Sequence, residues 1–92
     1  TFIGLGSQGE YGSGSDMLEA SLPQPTTLYG AAKVATYHLT RQLARQARMR
    51  HAWLRLFSTY GPGDNAGWMI PYLIGEMLAG RRPRLTLGTQ YW

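Results

Sequence analysis

The sequence predicts an α/β fold in which a strand, a long loop, a helix and a second strand follow one another in the order of a parallel crossover, with a shorter helical segment after them. Three observations predict it. Residues 1–6, Thr-Phe-Ile-Gly-Leu-Gly, are a short apolar run closed by glycine. Between Leu28 and Met49, small and apolar side chains recur every four residues, the period of a helix laid on a sheet. Ala52-Trp53-Leu54-Arg55-Leu56-Phe57 is again a short apolar run, and turn residues follow it.

Taken in order, residues 1–6 read as a buried strand. A parallel strand needs neighbours on both sides, so a chain that opens on one is expected to be part of a larger sheet. From Ser7 to Thr27 the composition turns to Gly, Ser, Pro and polar residues. A loop of that length is usually functional. Pro23 and Pro25 keep the chain extended, and Thr26 or Thr27 caps a helix expected from Leu28 to Met49. Its Ala31, Ala35, Leu39, Leu43 and Ala47 stripe is expected to face the sheet, with the arginines opposite. Gly61-Pro62-Gly63-Asp64-Asn65-Ala66-Gly67 is a turn-rich loop after the second strand. Pro71 marks the start of the next helix, Ile70, Leu73, Ile74, Met77 and Leu78 form its apolar face, and Gly80 stops it. A short strand is expected from Arg84 to Leu87, before the chain reaches Tyr91-Trp92.

Composition narrows the chemistry. Ninety-two residues make one small domain at most, burying about 60–70% of the surface of the unfolded chain. Nine Lys and Arg against five Asp and Glu give a net charge of +4, concentrated in Arg41, Arg45, Arg48 and Arg50 and in Arg81, Arg82 and Arg84. Such a balance suits nucleic acid or anionic lipid. Tyr37, Arg41, Arg45 and Arg48, however, recur at helical spacing and read as a solvated face, so neither partner is expected. There is no cysteine, hence no disulfide or thiolate site. His38 and His51 are too few for zinc, and no metal is expected. No apolar run approaches the roughly 18 residues of a membrane span. The first residues carry no basic segment with a cleavage site, so a cytoplasmic location is expected.

The chemistry centres on Tyr29-Gly30-Ala31-Ala32-Lys33. On a helix, residues four apart share a face with Cβ atoms about 5–6 Å from each other. A phenol has a pKa near ~10, so a tyrosine that works as a base at neutral pH needs about 4 kcal/mol of help. One ammonium at about 4 Å in an effective dielectric near 20 supplies that much. A surface tyrosine and a solvated lysine show the same spacing by chance, so the pair acquires meaning from its context. Gly4-Leu5-Gly6-Ser7-Gln8-Gly9-Glu10-Tyr11-Gly12 lies upstream, Pro23, Pro25, Thr26 and Thr27 lie just before the tyrosine, and Leu54-Arg55-Leu56-Phe57-Ser58-Thr59-Tyr60-Gly61-Pro62 lies downstream. Together these resemble the extended short-chain dehydrogenase/reductase family, the NAD-dependent sugar epimerases and dehydratases. The resemblance covers nearly the whole chain.

It implies a fold and a division. The chain would be part of a Rossmann-like doubly wound parallel sheet, strand-loop-helix-strand, plus the start of the substrate-binding region. Residues 1–60 would be the C-terminal half of an NAD(P)-binding domain and residues 61–92 a partial substrate-binding region. By the same resemblance Tyr29 is the catalytic acid/base, and Lys33 sets its pKa and binds the nicotinamide ribose. Ser7, standing where the family's catalytic Ser/Thr stands, hydrogen-bonds the reacting substrate oxygen. Leu56 and Phe57 line the nicotinamide, although core packing explains them equally well. Ser58 touches the sugar, and Trp68, Met69, Thr86 and Leu87 align with nucleotide-sugar contacts. The cofactor would be NAD or NADP and the substrate a nucleotide-diphosphate sugar; family members often pair through the Tyr-Lys helix, which allows a second copy of the chain as partner, although the arginine face argues mildly against burying that side.

Two departures refine this expectation. Dehydratases resembling this pattern place an acid in the two positions that here hold Gln8 and Gly9, with Glu10 one place late. An epimerase or keto-sugar reductase is therefore favoured. The Gly-x-x-Gly-x-x-Gly phosphate-binding turn is also absent, since Gly4, Gly6, Gly9 and Gly12 lead into a loop rather than a helix. The expectation is a fragment of a larger enzyme, unstable and inactive by itself. The alternative is a catalytically inactive fragment or paralogue that keeps these residues as a packing module. Arg55, inside a strand, is expected to be a paired structural charge.

Overall fold

The computed structural model describes residues 1–14 and 16–88, and the Tyr91-Trp92 end of the chain lies outside the described residues. The chain divides into two compact units, Thr1–Phe57 and Ser58–Trp92. The first is α/β, with strand β1 (Phe2–Ser7), a single 3-10 turn (Gln8–Glu10), helix α1 (Leu28–Gln46) and strand β2 (His51–Leu56). β1 and β2 pair in parallel, from Phe2 opposite His51 to Ser7 opposite Leu56. The second unit holds helix α2 (Met69–Leu78).

Local chemistry sets the ends of α1. Thr27 is its cap, with Oγ1 accepting from the Gly30 amide at 3.1 Å. The far end closes earlier than Met49. Arg48 turns to φ 51, its amide bonds the Arg45 carbonyl, and the Met49 amide reaches back to the Ala44 carbonyl. That pair of bonds is a Schellman closure, which satisfies the last carbonyls and sends the chain into β2. α2 ends the same way with Gly80 at φ 68, its amide on Met77 and that of Arg81 on Glu76. Gly80 is the stop the sequence indicates. Pro71 sits within the first turn of α2, where a missing N–H has no helical partner to lose.

Two expectations about faces and strands are overturned. The Ala31, Ala35, Leu39, Leu43 stripe does not meet the sheet, and Leu39 and Leu43 are 66% and 63% exposed. The packed side of α1 carries Gly30, Lys33, Tyr37, Thr40 and Ala44 instead. Its contacts are specific. The Tyr37 ring lies 5.7 Å from the Trp53 ring and 5.9 Å from that of His51, and Thr40 Oγ1 stands 3.0 Å from His51 Nε2. Glycines explain the choice, since a Cβ at Gly4 would collide with the Trp53 ring; without one, the indole lies flat on β1 and makes an aromatic floor that Tyr37 fits. Likewise residues 81–87 form no strand. A strand needs an edge to pair with, and no other strand is found among the described residues of the second unit. The Arg84 amide bonds the Tyr72 hydroxyl at 2.9 Å instead.

The other face of the sheet is apolar and bare. Ile3 and Leu5 from β1 and Leu54 and Leu56 from β2 alternate onto it and stay exposed.

Candidate active site

The carboxyl end of the sheet is where β1 runs into the 3-10 turn and α1 begins. Ser7 occupies both roles as the last residue of β1 and the cap of the turn, its Oγ accepting from the Gly9 amide at 3.2 Å. A hydroxyl that accepts this bond still has its own hydrogen to donate. Across the sheet Ser7 stands opposite Leu56.

The start of α1 is drawn against the turn. The Gln24 amide donates to the Glu10 carbonyl at 3.0 Å, which brings Pro25 and the Thr27 cap alongside. Gly30 makes the approach possible, because a Cβ there would run into the Gly9 carbonyl. The glycine of Tyr29-Gly30 is thus a close-contact residue. Its tyrosine comes with it: the Tyr29 ring and the Ser7 hydroxyl both lie within 4 Å of the point where a Gly9 Cβ would stand. Tyr29 is 59% exposed, so the phenol is open to solvent above the turn. One helical turn on, the Lys33 Nζ lies 5.8 Å from the centre of the Tyr29 ring and donates to the Leu5 carbonyl at 2.9 Å. That bond fixes the ammonium over the end of β1, with further N–H groups to spare.

Behind this open group lies an enclosed one. Glu10 is fully buried, at 0% exposure. Its Oε1 accepts from the Ser7 amide at 2.9 Å and from Trp53 Nε1 at 3.0 Å, while Oε2 accepts from Arg55 Nε at 2.7 Å. Arg55 also donates through Nη1 to the Tyr11 hydroxyl at 3.0 Å. Burial pushes the Glu10 carboxyl up, but hydrogen bonds from Arg55, Ser7 and Trp53 outweigh it and hold the carboxyl below its ordinary value. Burial likewise works against the Arg55 charge, and the bonds to Glu10 and Tyr11 raise its pKa above the ordinary value. Arg55 is therefore the paired charge its place in a strand suggests. Glu10, enclosed and fully engaged, has no route to a substrate. Its structural role was legible as Ser7-x-x-Glu10, the spacing of a capping box in which cap hydroxyl and third-residue carboxylate serve each other's backbone.

The remaining sequence-derived positions are dispersed. Phe57 follows β2 on the Trp53 side and packs on Tyr11, with ring centres 6.0 Å apart, whereas Leu56 alternates to the bare face. Ser58, Trp68, Met69, Thr86 and Leu87 belong to the second unit. Trp68 precedes α2 as its cap residue and Met69 opens it, while Thr86 and Leu87 lie in the non-regular segment that follows. Among the described residues no His/Cys/Asp/Glu group is arranged to hold a metal ion, and no helix is long and apolar enough to cross a membrane.

A family model described as the NAD dependent epimerase/dehydratase family matches residues 1–91 of the chain. Searches of curated proteins and of solved structures give no match.

Proposed function

Because the chain belongs to the NAD-dependent epimerase/dehydratase family, we propose that it forms the catalytic centre of an NAD- or NADP-dependent enzyme that epimerises or reduces a nucleotide-diphosphate sugar. The observation that carries this reading is the gathering of Tyr29, Lys33 and Ser7 at the carboxyl end of a parallel sheet. Ligands of open parallel sheets bind at that end.

The residues present fit the nicotinamide-ribose half of such a cofactor. Lys33 offers N–H groups beyond the one given to Leu5, beside an exposed phenol, and vicinal ribose hydroxyls suit that donor set. When bound, the nicotinamide supplies the hydride acceptor or donor. Tyr29 takes the proton of the substrate hydroxyl as its carbon becomes a carbonyl, and returns it when the carbonyl is reduced. Ser7 donates to the same oxygen and fixes its position. Leu56, beside Ser7, offers the nicotinamide an apolar wall, and Phe57 serves chiefly the Tyr11 contact. Ser58, Trp68, Met69, Thr86 and Leu87 are proposed for the sugar nucleotide. The enclosure of Glu10 and the neutral Gln8 and Gly9 leave no acid for elimination of water at this turn, which supports epimerisation or reduction over dehydration. The bare face of the sheet supports reading the unit as part of a wider one, since parallel sheets are covered on both faces. The exposed Ala31, Ala35, Leu39, Leu43 row on α1 supports a homodimer through that helix.

The test is Tyr29→Phe in the full-length enzyme, assayed on a panel of UDP-, dTDP- and GDP-hexoses. Turnover is expected to fall by about 10²–10⁴-fold, with NAD and NADP affinity little changed. Turnover close to that of the unsubstituted enzyme would remove Tyr29 from the chemistry and leave the packing module as the better reading.

A further inference from the structure

We infer that Glu10 is a positioning residue for Ser7, and that the cluster of Glu10, Trp53 and Arg55 sets the place of the reacting hydroxyl. This rests on the role proposed for Ser7. Ser7 ends a strand and begins a three-residue turn. Its hydroxyl accepts from backbone N–H groups of the turn itself, the Gly9 amide at 3.2 Å among them, and so is fixed only as well as the turn is. Its own amide, by contrast, donates to a fully buried carboxylate at 2.9 Å. That carboxylate is itself immobile. Trp53 and Arg55, both from β2, hold it from the far side at 3.0 Å and 2.7 Å, and a Cβ at Gly6 would collide with Glu10 Oε1 and Trp53 Nε1.

β1 and β2 are thus tied by a side-chain clamp just below the point where Ser7 leaves the sheet, in addition to the ladder. Arg55 extends the clamp to Tyr11 through the 3.0 Å bond to its hydroxyl, so the residues on both sides of the turn are anchored to β2. Glu10 touches no open surface and has no proton to exchange with a ligand. What it controls is where the Ser7 hydroxyl stands relative to the Tyr29 ring, both of which lie beside Gly9. A displacement near 1 Å in a group that orients a reacting atom lowers rate by about 10²-fold.

The test is a double-mutant cycle in the full-length enzyme with Ser7→Ala and Glu10→Gln, read on the first hexose nucleotide of the panel to turn over. Glutamine keeps the shape but puts an amide N–H where a carboxylate oxygen accepts. Ser7→Ala is expected to lower kcat by about 10²-fold or more. Glu10→Gln should lower kcat by about tenfold with KM and NAD(P) affinity unchanged, and the double variant should be no worse than Ser7→Ala. Hydrogen exchange at the Ser7 amide should quicken about tenfold in Glu10→Gln, while α1 exchanges as before.

Normal kcat in Glu10→Gln, fully additive losses, or unchanged exchange at Ser7 each overturn the inference and leave the functional reading standing. Normal kcat in Ser7→Ala, or no turnover in the unsubstituted enzyme, removes that reading and the inference with it. If Glu10→Gln fails to fold, Arg55→Lys takes its place in the same cycle. It keeps a charge opposite Glu10 but cannot reach both Glu10 and Tyr11, and a loss additive with Ser7→Ala overturns the inference there too.

Discussion

Glu10 carries a full charge with no exposed surface, and it does so because Ser7, Trp53 and Arg55 all turn donors toward it. The balance is lopsided. Arg55 is 16% exposed at its side chain and faces no other carboxylate at salt-bridge distance among the described residues, so Glu10→Ala strands a buried cation. Removing one partner of such a pair costs about 3–5 kcal/mol, and urea unfolding of the intact protein should show a loss of that order. A change below about 1 kcal/mol would mean that water reaches Arg55 freely. The pH dependence follows from the sign of the shift. The folded-state carboxyl lies below its ordinary value of 4.5, so its contribution is complete above that value and is lost as pH falls through the folded-state pKa. Acid should therefore destabilise the native protein more steeply than Glu10→Gln below about pH 4.5. Equal slopes would show that the pair does not govern the acid limb.

At the level of elements, the two helices provide an internal comparison. Both close by the same pair of bonds, yet α2 uses Gly80 and α1 uses Arg48 for the left-handed residue. A side chain there costs about 1–2 kcal/mol that glycine avoids, offset in part by the greater freedom of glycine when unfolded. Arg48→Gly should raise stability by about 0.5–1 kcal/mol and Gly80→Ala should lower it by about 1 kcal/mol, both read from thermal or urea midpoints. Opposite signs are the result to look for. If Arg48→Gly destabilises, the arginine side chain contributes more to the folded state than its left-handed backbone costs. The face of α1 shows a different limit. Ala31, Ala35, Leu39 and Leu43 have the right period and the right polarity, but Tyr37 is the residue that matches the Trp53 ring, and the helix turns accordingly. Periodicity gives a helix its amphipathic axis, and the shape of the surface beneath decides which stripe lies against it.

At the scale of the molecule, apolar surfaces lie open in the first unit, among them the Ile3, Leu5, Leu54, Leu56 face of the sheet and the Ala31 to Leu43 row of α1. The second is the surface proposed for the dimer. Leu39→Asp with Leu43→Asp in the full-length enzyme should give monomers by sedimentation with an unchanged circular dichroism spectrum, because both side chains already face outward. A dimer that survives the double change uses another surface. The sequence by itself determined the order strand, helix, strand, a threonine cap at Thr26 or Thr27, the Gly80 stop, the Tyr29-Lys33 pair on one helical face and, through several motifs in series, the family. Each of these is written in residues close together along the chain, where propensity, capping and four-residue spacing act. Only the tertiary structure decided that Tyr37 rather than Leu39 meets the sheet, that residues 84–87 form no strand, that Thr27 is the cap, and that Glu10 is a clamp. The last depends on Trp53 and Arg55 meeting Glu10 across more than forty residues. Such a meeting is set by the register of β1 on β2 and by the room that Gly4 and Gly6 leave, which no local pattern encodes.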